Sequence, residues 1–380
     1  MTALDPAAAA AAYVQRLPAD ALAVAPAQTA WSEILQVASL AVAVLAAVTV
    51  VRSGVLVRIH QRMTAADRPE WMSDAACGGA AAGLVGVALA LLAPIAAAHP
   101  GGPPSNLLAA TVLAVRQAAI LGLVGALFAP PLYALMRRLP KLWAPALGAA
   151  AAALVFAAVW LPFASASGPA SLPKAPPGPA RDGLVQLITE TRLAAPEVYV
   201  SPDPAIDADV TGAGAARVVV SQGLWRSATP EELRASVGHL MGHYAHHDQL
   251  WIALLLAALA FGLFPAVRHL TGPAARLMGL KDAGGADDVI AAPALIAVAL
   301  VYLALAVTAD HALIRWVNVG ADQYSLDHAR SPDGLAQALL HEWKGEAVDP
   351  APLQEALFYD HPSLQSRLLH AMHWKASHGG

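Results

Sequence analysis

Apolar residues along this chain gather into six long runs, and the lengths of those runs set the first expectation. A helix that crosses the hydrocarbon core of a bilayer needs about 20 predominantly apolar residues. Runs at 34–51, 75–98, 107–136, 142–166, 251–267 and 290–309 reach or approach that length. Arg116 lies near the start of the third run, where its side chain is expected to snorkel to the interface. Pro130-Pro131 near the end of that run are expected to end or kink the span. Trp143 and Trp251 stand at the predicted membrane edges, as in an aromatic belt.

Between the fourth and fifth runs the pattern changes. Residues 167–180 are rich in Pro, Gly and Ser, with little to bury, and read as a linker. Helical periodicity over 182–193 is followed by short β-type runs at 198–200 and 217–221. Thr229-Pro230-Glu231-Glu232 is a capping box with proline at the first helical position, so a helix starts there. It is predicted to run toward His247 and on into the fifth span. After the sixth run, 322–380 is polar, helical in pattern and rich in His and Trp. The expected organisation is an N-terminal region of four spans (1–166), a linker (167–181) and a polar domain (182–380) interrupted by two spans. The fold class is mainly α, a multi-span helical membrane protein with a small β element.

Composition narrows the picture. Only 13% of residues are charged and 57% are hydrophobic, against roughly 25% charged in a soluble domain. The chain therefore lacks the polar coat of a soluble protein, and a lipid bilayer is its first expected partner. A formal net charge of -4 leaves no basic footprint for nucleic acid. Cys77 is the sole cysteine, so no internal disulfide exists. The first residues lack a basic segment before an apolar core, and a cleaved signal peptide is not expected. The loops after the first, third and fifth runs hold Arg52, Arg58, Arg62 and Arg68, then Arg137, Arg138 and Lys141, then Arg268, Arg276 and Lys281. Positive charge favours the cytoplasm, which would place the polar domain outside. The expected location is a bacterial inner or plasma membrane.

The candidate chemistry sits in Gly238-His239-Leu240-Met241-Gly242-His243-Tyr244. Two histidines at i and i+4 project from one helix face, the spacing of two ligands to one zinc ion. Such pairs also occur on ordinary helix surfaces, so the neighbours matter. The pair follows a capped helix start, stands just before a membrane span, and comes after the β-type run Arg217-Val218-Val219-Val220-Ser221. Asn318-Val319-Gly320-Ala321-Asp322 follows the sixth span, and Asp360-His361-Pro362-Ser363-Leu364 with Arg367 comes later still.

In these parts and their order, over about 182–376, the sequence resembles the integral-membrane zinc metallopeptidases typified by CAAX prenyl protease type 1. The resemblance implies a zincin-like domain around the last two spans. It also implies zinc as cofactor, held by His239 and His243, with Asp322 as a supporting carboxylate and His361 and Arg367 in the chamber. In that family the helix motif is HExxH, whose glutamate is the general base, and a second glutamate is the third zinc ligand. Here the first position is Leu240 and the second is Asn318.

Both departures bear on chemistry. Leucine cannot accept a proton, and a positioned general base is worth about 10²–10⁴-fold in rate. Asparagine offers zinc only a neutral amide oxygen. Zinc is therefore expected to bind weakly or not at all. His247 and Asp248 are the candidate substitute ligands, His243 and His247 again forming an i, i+4 pair. His246 cannot join His239 on one ion from a straight helix, because about 10 Å of axial rise separates them. His341-Glu342 lacks a second histidine at the required spacing and is set aside. The strand Val218 to Ser221 is expected to accept an extended peptide. The sequence thus predicts a catalytically impaired peptidase homologue that binds a hydrophobic or lipidated peptide or assists an active relative. The alternative is an active zinc metalloendopeptidase with substitute ligands.

Overall fold

The computed structural model describes residues 4–97, 106–165, 172–205, 207–212, 216–281 and 284–379. In chain order the helices are α1 (Pro6–Val14), α2 (Ala19–Ser53), α3 (Val55–Ala65), α4 (Glu70–Ala90), α5 (Ala93–Ala97), α6 (Leu107–Arg138) and α7 (Trp143–Ser165). Then come α8 (Pro179–Thr191), the strands β1 (Ala194–Ser201), β2 (Ala208–Thr211) and β3 (Ala216–Ser221), and α9 (Gln222–Ser227). The rest is α10 (Pro230–Ala245), α11 (Asp248–Met278), α12 (Ala292–Ala329), α13 (Pro332–Glu342), α14 (Pro352–Phe358) and α15 (Leu364–Ser377).

Among the described residues, six helical segments are long and apolar enough to cross a membrane: Ala19–Ser53, Glu70–Ala90, Leu107–Arg138, Trp143–Ala164, Asp248–Met278 and Val289–Ala329. The chain is an integral membrane protein, mainly α-helical, with one three-stranded sheet among the described residues. The first and last of these segments extend well past their apolar runs. Helical hydrogen bonding does not stop where hydropathy does, so α12 continues past the apolar run of the sixth span and includes Asn318 and Asp322.

The contacts divide into two units. One comprises Met1–Pro26, Val155–Leu256 and Thr308–Gly380, the other Ala27–Leu154 and Ala257–Val307. In the second, α4 and α6 pack backbone to backbone through small residues. A Cβ added at Gly78 would lie 2.3 Å from the Ala129 Cβ, and one at Gly125 would lie 2.6 Å from the Gly78 carbonyl oxygen. Close approach of this kind is how helices associate in lipid, where apolar burial gives no drive. Pro130 and Pro131 do not end α6, which runs on to Arg138. Their neighbours Ala129 and Tyr133 are buried in the core of this unit. Trp143 is no interfacial anchor either: it is 3% exposed, within the same core. Trp251 and Arg116 are exposed.

In the first unit the sheet order is β1-β3-β2, with β1 parallel and β2 antiparallel to β3. Alternate residues Val198, Val200, Val218 and Val220 face a core shared with Leu184, Leu187 and Ile188 of α8 and Leu233, Val237 and Met241 of α10. β3 is the central strand, paired on both sides, so Val218 to Ser221 has no free edge for a peptide. That expectation is corrected. Strand β2, too short to stand out in the sequence, takes one outer position. The outer side of β1 is met by 173–175, where the Ala175 amide donates to Val198 and the Val200 amide to Pro173. Part of the segment read as a linker is thus sheet-bound, with Ala175 buried; 166–171 lie outside the described residues. The N-terminal helix α1 joins a second core with α13 and α15, through Ala10, Tyr13, Leu335, Leu368 and Met372.

Candidate functional site

The site is built on α10. The Thr229 hydroxyl accepts from the Glu232 amide at its start, and Pro230 occupies the first turn. Two glycines then let α12 approach. A Cβ on Gly242 would lie 2.8 Å from the Ala321 Cα, and one on Gly238 would lie 3.0 Å from the Ser325 Oγ. That hydroxyl donates to the Ala235 carbonyl at 2.8 Å. The close crossing delivers Asp322 to His239, with 2.7 Å between the His239 Nδ1 and the Asp322 Oδ1.

Asp322 is buried and held from its other side by α15. The Arg367 Nε donates to Oδ2 and Nη2 to Oδ1, each at 2.7 Å. Both carboxylate oxygens therefore accept, and the His239 Nδ1 is the donor in its pair. Burial pushes the His239 imidazole below its usual range; Asp322 opposes this, and Arg367 and His243 add to it.

The second histidine has a carboxylate of its own. The helix breaks after Ala245, and His247 takes a left-handed backbone with φ 57°. The expected continuous helix into the fifth span is therefore two helices. The break turns Asp248 back, and its buried Oδ2 meets the His243 Nδ1 at 2.8 Å. It also removes the helical i, i+4 relation between His243 and His247, so the displaced-pair reading does not hold. His246 and His247 are exposed, and Asp248 sits behind His243, on the imidazole's far nitrogen.

With both Nδ1 atoms turned to carboxylates, the two Nε2 atoms face each other at 3.1 Å. Tetrahedral zinc with bonds of 2.0–2.1 Å places two nitrogen ligands about 3.3 Å apart. The pair fits two corners of such a site, and the outer carboxylates match the way metal-binding imidazoles are held. The remainder does not fit. Asn318 is buried and spends its amide nitrogen on the Ile314 carbonyl at 2.8 Å. Leu240 packs against the core beside the sheet. Among the described residues no group of three or more His, Cys, Asp or Glu is placed to hold a metal ion. The residues present do not supply the family's zinc set, and no hydrolytic step follows from them.

Around the imidazoles lies a cavity of about 660 Å³ whose lining includes His239, Leu240, His243, Asp248, Asn318 and Arg367. His361 joins them from the rim and bonds Asp360, holding that carboxyl at about 2. His341-Glu342, set aside in the sequence, line the same cavity. The His341 Nδ1 meets the buried Glu232 carboxylate at 2.5 Å, and Glu342 lies 3.8 Å from the Arg367 guanidinium. The sequence pattern makes Glu232 half of a capping box, but its side chain instead serves His341, 109 residues away. Elsewhere on α12, the Asp310 Oδ1 and His311 Nδ1 are buried without a hydrogen-bond partner among the described residues.

The crossing yields a direct test. Gly242→Val is expected to push α12 away and break the Asp322–His239 contact. A shifted histidine ring resonance and a lowered melting temperature would register it, whereas unchanged values would mean the crossing does not set the site.

The profile of peptidase family M48 matches residues 183–375. A protein named Protease HtpX homolog from Streptococcus pneumoniae (strain Hungary19A-6) is 28% identical over 206 residues, 47% of this chain and 67% of that protein. Another Protease HtpX homolog, from Streptococcus pneumoniae serotype 19F (strain G54), is 27% identical over 211 residues, 48% of this chain and 69% of that protein. The crystal structure of S. mikatae Ste24p aligns with a TM-score of 0.46 at 16% identity, over 69% of this chain and 65% of that one. The profile match spans the sheet, the histidine helix, the last two spans and the Arg367 helix, and on it the chain belongs to peptidase family M48.

Proposed function

We propose that this chain is a catalytically impaired member of its family, acting as a membrane-embedded binding or regulatory protein. One observation carries the reading. Leu240 and Asn318 occupy the base and third-ligand positions within a pair of imidazoles whose supporting carboxylates are both in place. Leu240 has been given over to packing and Asn318 to its own helix backbone. The buried Arg367–Asp322 pair holds the carboxylate that supports His239, although removing two such charges from water is costly and seldom stabilising.

The ligand we infer is an extended hydrophobic or lipidated peptide, or a segment of an active relative that this chain assists. Asp207 and Ala208 line the cavity at the start of β2. A peptide pairing with the outer side of β2 would run beside the histidines, a form of strand addition. The membrane we expect is a bacterial inner or plasma membrane. The alternative, an active zinc metalloendopeptidase, draws on the 3.1 Å approach of the two Nε2 atoms. It requires Asp248 to leave His243, or His247 to turn inward from solvent.

A fluorescein-labelled hydrophobic decapeptide separates the two. We expect it to bind the detergent-purified chain in the presence of a chelator and to remain intact. Cleavage that the chelator stops would overturn the proposal in favour of the enzyme, and an absence of binding would remove its ligand.

A further inference from the structure

The free edge of the sheet offers a ligand carboxylates where an ordinary strand edge offers amides. The backbone of Asp207, just before β2, faces β3: its carbonyl accepts from the Ser221 amide and its amide donates to the Ser221 hydroxyl. By alternation along the strand, the amides of Ala208 and Val210 face away from β3. Neither is bare. The Asp207 Oδ1 accepts from the Ala208 amide at 2.8 Å, and the Asp209 carboxylate accepts from the Val210 amide. Both aspartates are exposed. The same sign continues into the chamber that Asp207 lines. Glu232 and Asp248 are buried there against His341 and His243, and Arg367 is spent on Asp322. Asp207, Glu342, Glu346 and Asp360 remain exposed along its lining, against one exposed cation, Lys344. Deeper in, Leu240, Ile252, Ile314 and Val317 form an apolar wall.

We propose that the peptide taken by this chamber is cationic: an extended apolar segment with lysine or arginine at alternate positions. The inference rests on the chamber being a peptide-binding site and names the charge that it selects. Side chains at i and i+2 of an extended chain share one face. Asp207 and Asp209 have that spacing, so two basic residues so placed meet two carboxylates. Opposite charges across neighbouring strands attract, and like charges repel. The remaining alternate residues of the peptide are free to be apolar, for the wall within. Lysine and arginine suit both surroundings, because their methylene stems lie along apolar surface while their heads reach the carboxylates. A segment bearing glutamate or phosphate meets repulsion at the edge and again at Glu342, Glu346 and Asp360. A metal ion is the poorer occupant, since no described group of three or more of these side chains is placed to hold one.

Three fluorescein-labelled decapeptides test this on the full chain in an uncharged detergent with a chelator present. They share their apolar residues and carry two lysines, two glutamines or two glutamates at i and i+2. An exposed ion pair is worth up to about 5-fold in affinity, so the lysine peptide is expected to bind about 10-fold more tightly than the glutamine peptide. The glutamate peptide should bind most weakly, and raising the salt to about 0.5 M should erase most of the difference. Asp207→Asn with Glu346→Gln should cut the lysine preference about 3-fold or more. Glu346→Lys should strengthen binding of the glutamate peptide, a gain that misfolding cannot imitate. Equal binding of the lysine and glutamine peptides would overturn the proposal and leave the binding reading standing. A lysine preference undiminished in the Asp207→Asn/Glu346→Gln variant would also overturn it, because the attraction would then lie elsewhere on the protein. Binding of none of the three peptides would remove the binding reading itself, and the proposal with it.

Discussion

Replacing Arg367 with alanine is expected to destabilise the protein by about 3–5 kcal/mol, the cost of leaving a buried charge without its partner. Arg367 is 8% exposed and Asp322 2% exposed, so water cannot take over the lost bonds. Asp322 would then have His239 as its one remaining donor among the described contacts. Arg367→Lys should recover only part of the loss, because an ammonium cannot reproduce the two-bond fork to Oδ1 and Oδ2. Asp322→Asn in the Arg367→Ala background should be milder than Arg367→Ala alone, since it removes the orphaned charge. Chemical unfolding of the four proteins in one detergent checks the order. Equal stability of Arg367→Ala and the wild type would mean that the pair is solvated.

The second large effect is a gain. Introducing Leu240→Glu and Asn318→Glu together is expected to create chelator-sensitive proteolysis. Each change alone should do little. With Asn318→Glu alone the chain would have a third metal ligand but no general base, and with Leu240→Glu alone it would have a base but only two ligands for a metal. A positioned base is worth about 10²–10⁴-fold, and that factor is the expected gap between the double variant and Asn318→Glu alone. The supporting contacts needed for this, Asp322 on His239 and Asp248 on His243, are already in place.

Much of the architecture was legible because membrane helices are announced by length and apolarity alone. The small β element was legible in Val198 to Val200 and Val218 to Val220, where β-branched residues cluster. β2 was not: Ala208–Thr211 is four residues with an aspartate inside, and its pairing is decided by the neighbouring strand. The same limit hid the role of α1, whose alanine-rich face says nothing about docking on α15.

At the site, the i, i+4 spacing exposed His239 and His243, and comparison with the family pattern exposed Leu240 and Asn318. The break at His247 left no comparable signal. His246-His247-Asp248 is compatible with a helix, and the turn that sends Asp248 back to His243 depends on the surrounding packing. Glu232 and His341 meet across 109 residues, and local pattern cannot pair residues so distant. Trp143 misled because an indole at a span end usually anchors at the interface, while here the fold buries it.

What we propose for this chain is a peptidase frame without a hydrolytic metal centre of its own. Zinc content per chain, by elemental mass spectrometry in thiol-free buffer, tests it most directly, with the Leu240→Glu/Asn318→Glu variant beside the wild type. We expect zinc far below one per chain in the wild type and near one in the variant. Stoichiometric zinc in the wild type that vanishes with His239→Ala would contradict the account, because the chain would then hold a third donor of its own.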